Sequence, residues 1–429
     1  MPDHTSATHL AHDTSLTELV QTLVGKFAAL WWESDAGTPP LKPTYTRREQ
    51  ASREAHLDRF LDSLNSELKH PPQTPIERGA TQERTLAAFD RFARSGLGWQ
   101  ERHMEMLLSR GLTEATVQFT QMARRFDPTV SGADIFQANR NAWTAHGLQL
   151  LLGMSVQLTP AIFAYSMLYP YSDNYLDDPT ISAETKMAFN RRFSQRLAGE
   201  DVAPSNAHER NIWRLVGMIE SQYERAGYPQ VFESLLAIHR AQVKSVGLLR
   251  QDAAPYEVDV LGISFEKGGT SVLADGYLVA GSLSAAQREF MFGYGAFLQL
   301  VDDLQDVRQD RQDGLLTVFS QSAKRWTLDA LTNRTFHFGD QVLQGLDGFD
   351  APGLTPLKEL MRDSTALLLV DAVGRANRLY SRRYRRELET YSPFRFSTLS
   401  KRRKKLGRQR VSLLRLIETF ATPDDAASL

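Results

Sequence analysis

Cysteine is absent from the 429 residues of this chain. That excludes disulfides, thiolate zinc sites and a cysteine nucleophile, and it fits a cytoplasmic protein. Long apolar runs are missing as well. No window holds the roughly 18 uninterrupted apolar residues that a membrane-spanning helix needs, so no span is expected. Neither sign of charge is in excess: 50 basic and 51 acidic side chains leave a formal net charge of −1. Such a balance gives no global field to steer nucleic acid, and no nucleic-acid partner is expected. The opening MPDHTSATHLAHDTS has no basic stretch followed by an apolar core, so no secretory signal is read there. What remains is the composition of a globular protein long enough for a large core.

Against that background one stretch stands out, Phe297 to Asp310, FLQLVDDLQDVRQD. On a helix Asp302, Asp306 and Asp310 fall at i, i+4 and i+8 and share a face, with Asp303 beside the first. Like-charge i,i+4 pairs cost about 0.2–0.5 kcal/mol each, and more where Phe297, Leu298, Leu300 and Val301 exclude water. A compensating cation is called for. Mg²⁺ is the simplest choice, because carboxylates fill part of its octahedral shell and phosphate oxygens or waters complete it. The alternative is a solvated acidic face. A second segment weighs against it: Asp173-Asn-Tyr-Leu-Asp177-Asp178 again ends an apolar helical run, with Asp173 and Asp177 at i,i+4. Two acidic helix faces of like design, far apart in sequence, suggest one metal cluster between two facing helices.

The pair resembles the two aspartate-rich motifs of class I isoprenoid synthases, all-helical enzymes that ionise prenyl diphosphates with Mg²⁺. Phe297-x-Gln299-x-x-Asp302-Asp303-x-x-Asp306 is similar to the FxQxxDDxxD segment of trans-prenyltransferases. Asp302, Asp306 and Asp310 also resemble the metal triad of terpene cyclases, and Asp306 to Asp310 the DxxxD of squalene and phytoene synthases. The motif names the superfamily and leaves its branch open. The resemblance implies an all-α fold, a helical bundle around a central active-site cavity. It implies metal ligation by Asp173, Asp177, Asp178, Asp302, Asp303, Asp306 and Asp310, and it places Phe297 and Gln299 at the substrate.

Around the first motif, Tyr165, Tyr169 and Asp173 follow one another at i, i+4 and i+8. The tyrosines then line a hydrocarbon pocket or fill an ordinary core. In prenyltransferases the position one turn upstream limits product length, so Tyr169 resembles a chain-length floor. Pro170 should kink this helix. Arg140 and Trp143, on the preceding helix, are candidates for binding diphosphate and shaping the pocket, with plain interhelix packing as the alternative. Three departures speak against an elongating enzyme. A GKRxRP segment is absent, as is the GKxGxD lysine segment after Asp310, and the paired arginines Arg191-Arg192 come late.

Lys267-Gly268-Gly269-Thr270 puts two glycines inside an apolar helical run, each costing about 1 kcal/mol relative to alanine. A helix break at a ligand is the expectation. The position resembles the Lys-Thr break of trans-prenyltransferases, whose lysine contacts diphosphate. Arg250 resembles the diphosphate-sensing arginine of cyclases, and Arg383-Tyr384 the Arg-Tyr pair that closes on diphosphate. Arg240 and Lys244 read equally as a solvated basic face.

Residues 1–126 read as an N-terminal helical extension, 127–390 as the catalytic domain and 391–429 as a basic C-terminal tail helix. The tail, SKRRKKLGRQRVSLLRLIETF, reads as a solvated helix end, with peripheral contact with anionic lipid or with RNA as alternatives. The expected activity is that of a Mg²⁺-dependent terpene synthase, a carbon–oxygen lyase that cyclises an allylic prenyl diphosphate. A prenyltransferase, joining prenyl units head-to-tail or head-to-head, is the alternative. A homodimer is the assembly that the resemblance implies, in the cytoplasm and at most peripheral to a membrane.

Overall fold

In the computed structural model of the protein, residues 15–70, 72, 74–109, 111–178, 180–249 and 257–408 are described. These residues form α-helices and no β-strand; an isolated bridge joins Leu249 to Leu315. The helix starts follow side-chain chemistry. α1 (Leu16–Glu33) opens on a capping box in which Ser15 and Glu18 satisfy each other's backbone N–H groups. Thr46 with Glu49 and Thr74 with Glu77 do the same for α2 (Arg47–Lys69) and α3 (Pro75–Phe92). Each such cap contributes about 1 kcal/mol. A π-helical turn over Ala93–Leu97 extends α3 and stops at Gly98 in the left-handed conformation, which a residue with a Cβ adopts only under strain.

α4 (Glu101–Ser109) and α5 (Leu112–Phe126) complete the first part of the chain. α6 (Gly132–Leu151), α7 (Pro160–Asp177) and α8 (Ala183–Ala198) start on Ser131, Thr159 and Ser182, and α9 (Ala207–Gln222) on Asn206. α10 (Pro229–Ser245) carries its proline in the first turn, where the missing N–H is harmless. α7 continues through Pro170 to Asp177 as one helix.

α11 (Val260–Ala280) is buried along almost its whole length. A helix apolar on every side belongs at the centre of a bundle, and α12 (Ala285–Asp313), α10, α1, α6 and α7 all pack against it. α13 (Val318–Ser322), α14 (Asp329–Gln344) and α15 (Thr355–Arg375) cover the other side of α12. α16 (Arg382–Glu389) and α17 (Phe396–Arg408) then pack on α15.

α1 is part of this main core. Its Phe27 stacks on Phe292 at 6.0 Å and meets Phe338 edge-on at 6.3 Å, while Trp31 is fully buried. α2 reaches the end of the chain instead. The Gln50 amide donates to the carbonyls of Glu389 and Ser392, and Glu54 pairs with Arg395. No described helix is long and apolar enough to cross a membrane.

Candidate active site

The expected break at Lys267–Thr270 does not occur; α11 is helical from Val260 to Ala280. The glycines serve contact between helices. A Cβ on Gly268 would lie 2.4 Å from the Gly295 carbonyl oxygen, and one on Gly295 would lie 2.1 Å from that of Gly268. The two backbones therefore touch, a separation that only glycine permits on both sides. This approach sets Lys267 and Ser271 of α11 beside Gln299 and Asp302 of α12, and the four line one cavity.

The cavity has a volume of about 140 Å³. α7 supplies Tyr165, Tyr169 and Ser172 to its wall, α6 supplies Asn141, and α10 supplies Gln242. Phe193, Leu197, Leu235 and Ile238 form an apolar side. The Gln242 amide donates to Asp173 Oδ1 at 2.9 Å. Asp302 thus lines the cavity directly, while Asp173 lies behind the lining, hydrogen-bonded to Gln242 and next to the lining residue Ser172.

The four motif aspartates of α12, Asp302, Asp303, Asp306 and Asp310, divide between two environments. Asp306 is exposed and Asp302 opens to the cavity but is otherwise enclosed by protein, whereas Asp303 and Asp310 are buried. Burial, then the Asp306 charge, pushes the Asp302 carboxyl above its ordinary range, while Arg140, Lys267 and Arg375 pull it down. Asp303 is pushed to about 7, chiefly by burial, although the Gln299 amide donates to it at 2.8 Å. Asp310 is pushed to about 8 by burial and by Asp303, Asp306, Asp302 and Asp313, and its Oδ2 is buried without a hydrogen-bond partner. The protein gathers more negative charge here than it neutralises, and a proton or a cation makes up the difference.

The α7 segment is differently used. Asp178 ends the helix: its Oδ1 accepts from the Thr180 N–H at 2.8 Å and hydroxyl at 2.6 Å, which holds its carboxyl below the usual range. That local turn occupies one of the two carboxylate oxygens of Asp178. The side chain of Asp177 lies outside what the structure describes. No three His, Asp or Glu side chains among the described residues group closely enough to hold a metal ion. All-oxygen donors and an orphaned buried carboxylate oxygen still suit Mg²⁺, which usually takes one or two carboxylates and completes its shell with water and substrate phosphate.

Tyr165 and Tyr169 stand in the wall as expected, and the Tyr165 hydroxyl donates to the Ser271 carbonyl at 3.2 Å. Other expected residues lie elsewhere. Phe297 is a core residue packed on Gly339 and Phe338. The Trp143 indole N–H donates to Thr116 at 2.9 Å, away from the cavity lining. Tyr384 is buried, stacks on Tyr380 and donates to Asn333 Oδ1 at 2.6 Å, while Arg383 is exposed on the surface of α16. Lys244 pairs with Glu266 at 2.5 Å. Arg250 lies outside the described residues, as does the tail beyond 408.

Three residues were missed. Gln242 closes an i, i+3, i+4, i+7 stripe with Leu235, Ile238 and His239, visible in the sequence as a wall-forming face. Arg375, whose charge reaches Asp302, belongs to the same arginine-rich segment as Arg383 and pairs with Asp371 at 2.7 Å. Asn141 carried no local signal; its amide donates to Ser166 Oγ and to Asp275 Oδ1, both at 3.2 Å.

No family model matches the chain, and no curated protein matches it significantly.

Proposed function

We propose that the chain is a class I isoprenoid synthase, built as the helical bundle of that superfamily, which ionises an allylic prenyl diphosphate and cyclises the resulting cation to a terpene. The observation that carries this reading is the meeting of Asp302, Lys267 and the Asp173 segment at one cavity with an apolar side.

The diphosphate end of the substrate sits among Lys267, Arg140 and Arg375, the three cations whose fields reach Asp302. Asp302, Asp306 and Asp173 would hold Mg²⁺ there. When bound, it supplies positive charge to the diphosphate oxygens as the bond to the allylic carbon breaks. The electron pair leaves with diphosphate, and the positive charge stays on the allyl group. Lys267 and the arginines stabilise the negative charge that develops on the leaving group, the kind of interaction that usually contributes most to catalysis. Tyr165, Tyr169 and Phe193 wall the hydrocarbon, exclude water that would quench the cation, and face it with their rings, at about 0.5–2 kcal/mol each in a dry site. Ring closure by a substrate double bond and loss of a proton end the reaction.

At about 140 Å³ the cavity is smaller than the roughly 300–1,000 Å³ of most ligand pockets. Tyr169, 40% exposed at its wall, is the side chain whose rotation admits a longer chain. A prenyltransferase is the second reading, favoured by Gln299 and Lys267 sharing the cavity.

The test is incubation of the protein and Mg²⁺ with geranyl, farnesyl and geranylgeranyl diphosphate, each alone and each with isopentenyl diphosphate, followed by mass spectrometry of extracts. Hydrocarbon or alcohol from a single substrate is expected. Consumption that requires isopentenyl diphosphate selects the prenyltransferase, and no release of diphosphate in any mixture refutes both.

A further inference from the structure

A second cavity, about 410 Å³ in volume, lies between α2 and α3, apart from the site above. Both helices present an i, i+3, i+4, i+7 face to it: His56, Arg59, Phe60 and Ser63 from α2, and Ala88, Arg91, Phe92 and Ser95 from α3 and its π turn. Its apolar wall is a stack. Phe60 lies on Phe92 at 5.0 Å with planes 6° apart, and Phe92 continues onto Phe394 at 6.1 Å.

Every polar side chain in the lining can donate a hydrogen bond, and none is a carboxylate. An Arg59 guanidinium N–H donates to His56 Nδ1 at 2.9 Å, which leaves the imidazole proton on Nε2. Three neighbouring acids are engaged elsewhere, Asp58 with Arg402, Glu54 with Arg395 and Asp90 with Arg94 at 2.8 Å, and Asp62, one turn from Arg59, makes no ion pair with it. Arg59 and Arg91 are both exposed and have no carboxylate within 4 Å among the described residues. Two guanidinium forks, an imidazole N–H and two hydroxyls offer more donors than one carboxylate accepts, and they match the three oxygens of a phosphate.

We infer that the groove between α2 and α3 is a second binding site, for a phosphomonoester that carries an apolar chain, with the phosphate at Arg59, Arg91 and His56 and the chain along Phe60 and Phe92. This inference does not depend on the activity proposed for the first cavity. The same chemistry is offered by a free alkyl phosphate and by the headgroup of an anionic phospholipid.

Calorimetric titration of the full chain with decyl phosphate, in EDTA so that metal-dependent binding elsewhere is silent, tests it. Saturable binding is expected, about tenfold or more tighter than that of inorganic phosphate, which lacks the apolar chain. R59A/R91A should weaken it by about tenfold or more, with helix content unchanged by circular dichroism since both side chains are exposed. Co-sedimentation with phosphatidylcholine vesicles containing phosphatidic acid separates the sources: capture lost in R59A/R91A assigns the site to a membrane headgroup, and decyl phosphate binding without vesicle capture assigns it to a free ligand. Decyl phosphate binding unchanged in R59A/R91A, equal binding of decanol, or no binding of either phosphate source overturns the inference.

Discussion

The two acidic segments look alike in sequence and differ in the folded protein. In α12 the aspartates sit inside a 29-residue helix pressed against the centre of the bundle, so burial and mutual repulsion drive Asp302, Asp303 and Asp310 towards their protonated forms. In α7 they arrive where the helix ends. There Asp173 takes a hydrogen bond from Gln242, and Asp178 spends its carboxylate on the turn at Thr180. The difference teaches that an acidic pattern is charge-stressed where burial and like charges outweigh the partners its carboxylates find. Where a turn supplies donors, as Thr180 does for Asp178, the same pattern is relieved locally.

The largest effect that sharpens this contrast is on turnover. D302A should lower it about a thousandfold or more, because the one carboxylate among the described residues of the cavity lining is lost from the proposed diphosphate site, while D178N should cost less than about threefold. Comparable losses in the two variants, measured by diphosphate release with helix content checked by circular dichroism, would erase the distinction.

Next comes the seating of α12. G268A forces a Cβ against the Gly295 carbonyl and should destabilise the fold by about 1–3 kcal/mol. G147A meets nothing within 4 Å and should stabilise α6 by up to about 1 kcal/mol. Thermal melts of the two variants should therefore move in opposite directions.

The third effect depends on pH. The Asp310 pKa is raised above that of the unfolded chain, so the stability tied to its proton is complete below about pH 4 and is lost as pH rises towards 8. D310N stays neutral throughout. It should melt about 2–5 °C above the parent at pH 8 in EDTA and equally with it near pH 4.5. Equal melting temperatures at pH 8 would mean that α12 carries no charge stress at that position.

The smallest effect concerns the cavity wall. Y169A should shift preference towards a longer prenyl chain by about tenfold in kcat/KM, a modest change in pocket shape. An unchanged preference would show that Tyr169 does not limit the chain.

Local chemistry made much of the helical plan legible. Ser15 and Thr46 start α1 and α2, and a capping box of this kind is written within four positions of the sequence. Asp302, Gln299 and Lys267, which the resemblance put at the substrate, and Tyr165, two turns before Asp173, line one cavity. What escaped depends on partners distant in the chain. Gly268 looks like a helix breaker until Gly295 is seen opposite it. Arg383 and Tyr384 form a plausible pair, but Asn333 and Tyr380 hold the tyrosine in the core while the arginine faces solvent. The task of Asp178 was equally hidden, since a carboxylate that ends its own helix reads the same in sequence as one free to bind a cation.

The most direct measurement is Mn²⁺ uptake, followed by electron paramagnetic resonance, in the presence of a farnesyl diphosphate analogue whose bridging oxygen is replaced by sulfur. If charge-stressed carboxylates of α12 and the end of α7 share cations around a diphosphate, the native chain should bind Mn²⁺ tightly only with the analogue, and D302A should lose that uptake. Uptake that is absent, indifferent to the analogue or unchanged in D302A would contradict the account.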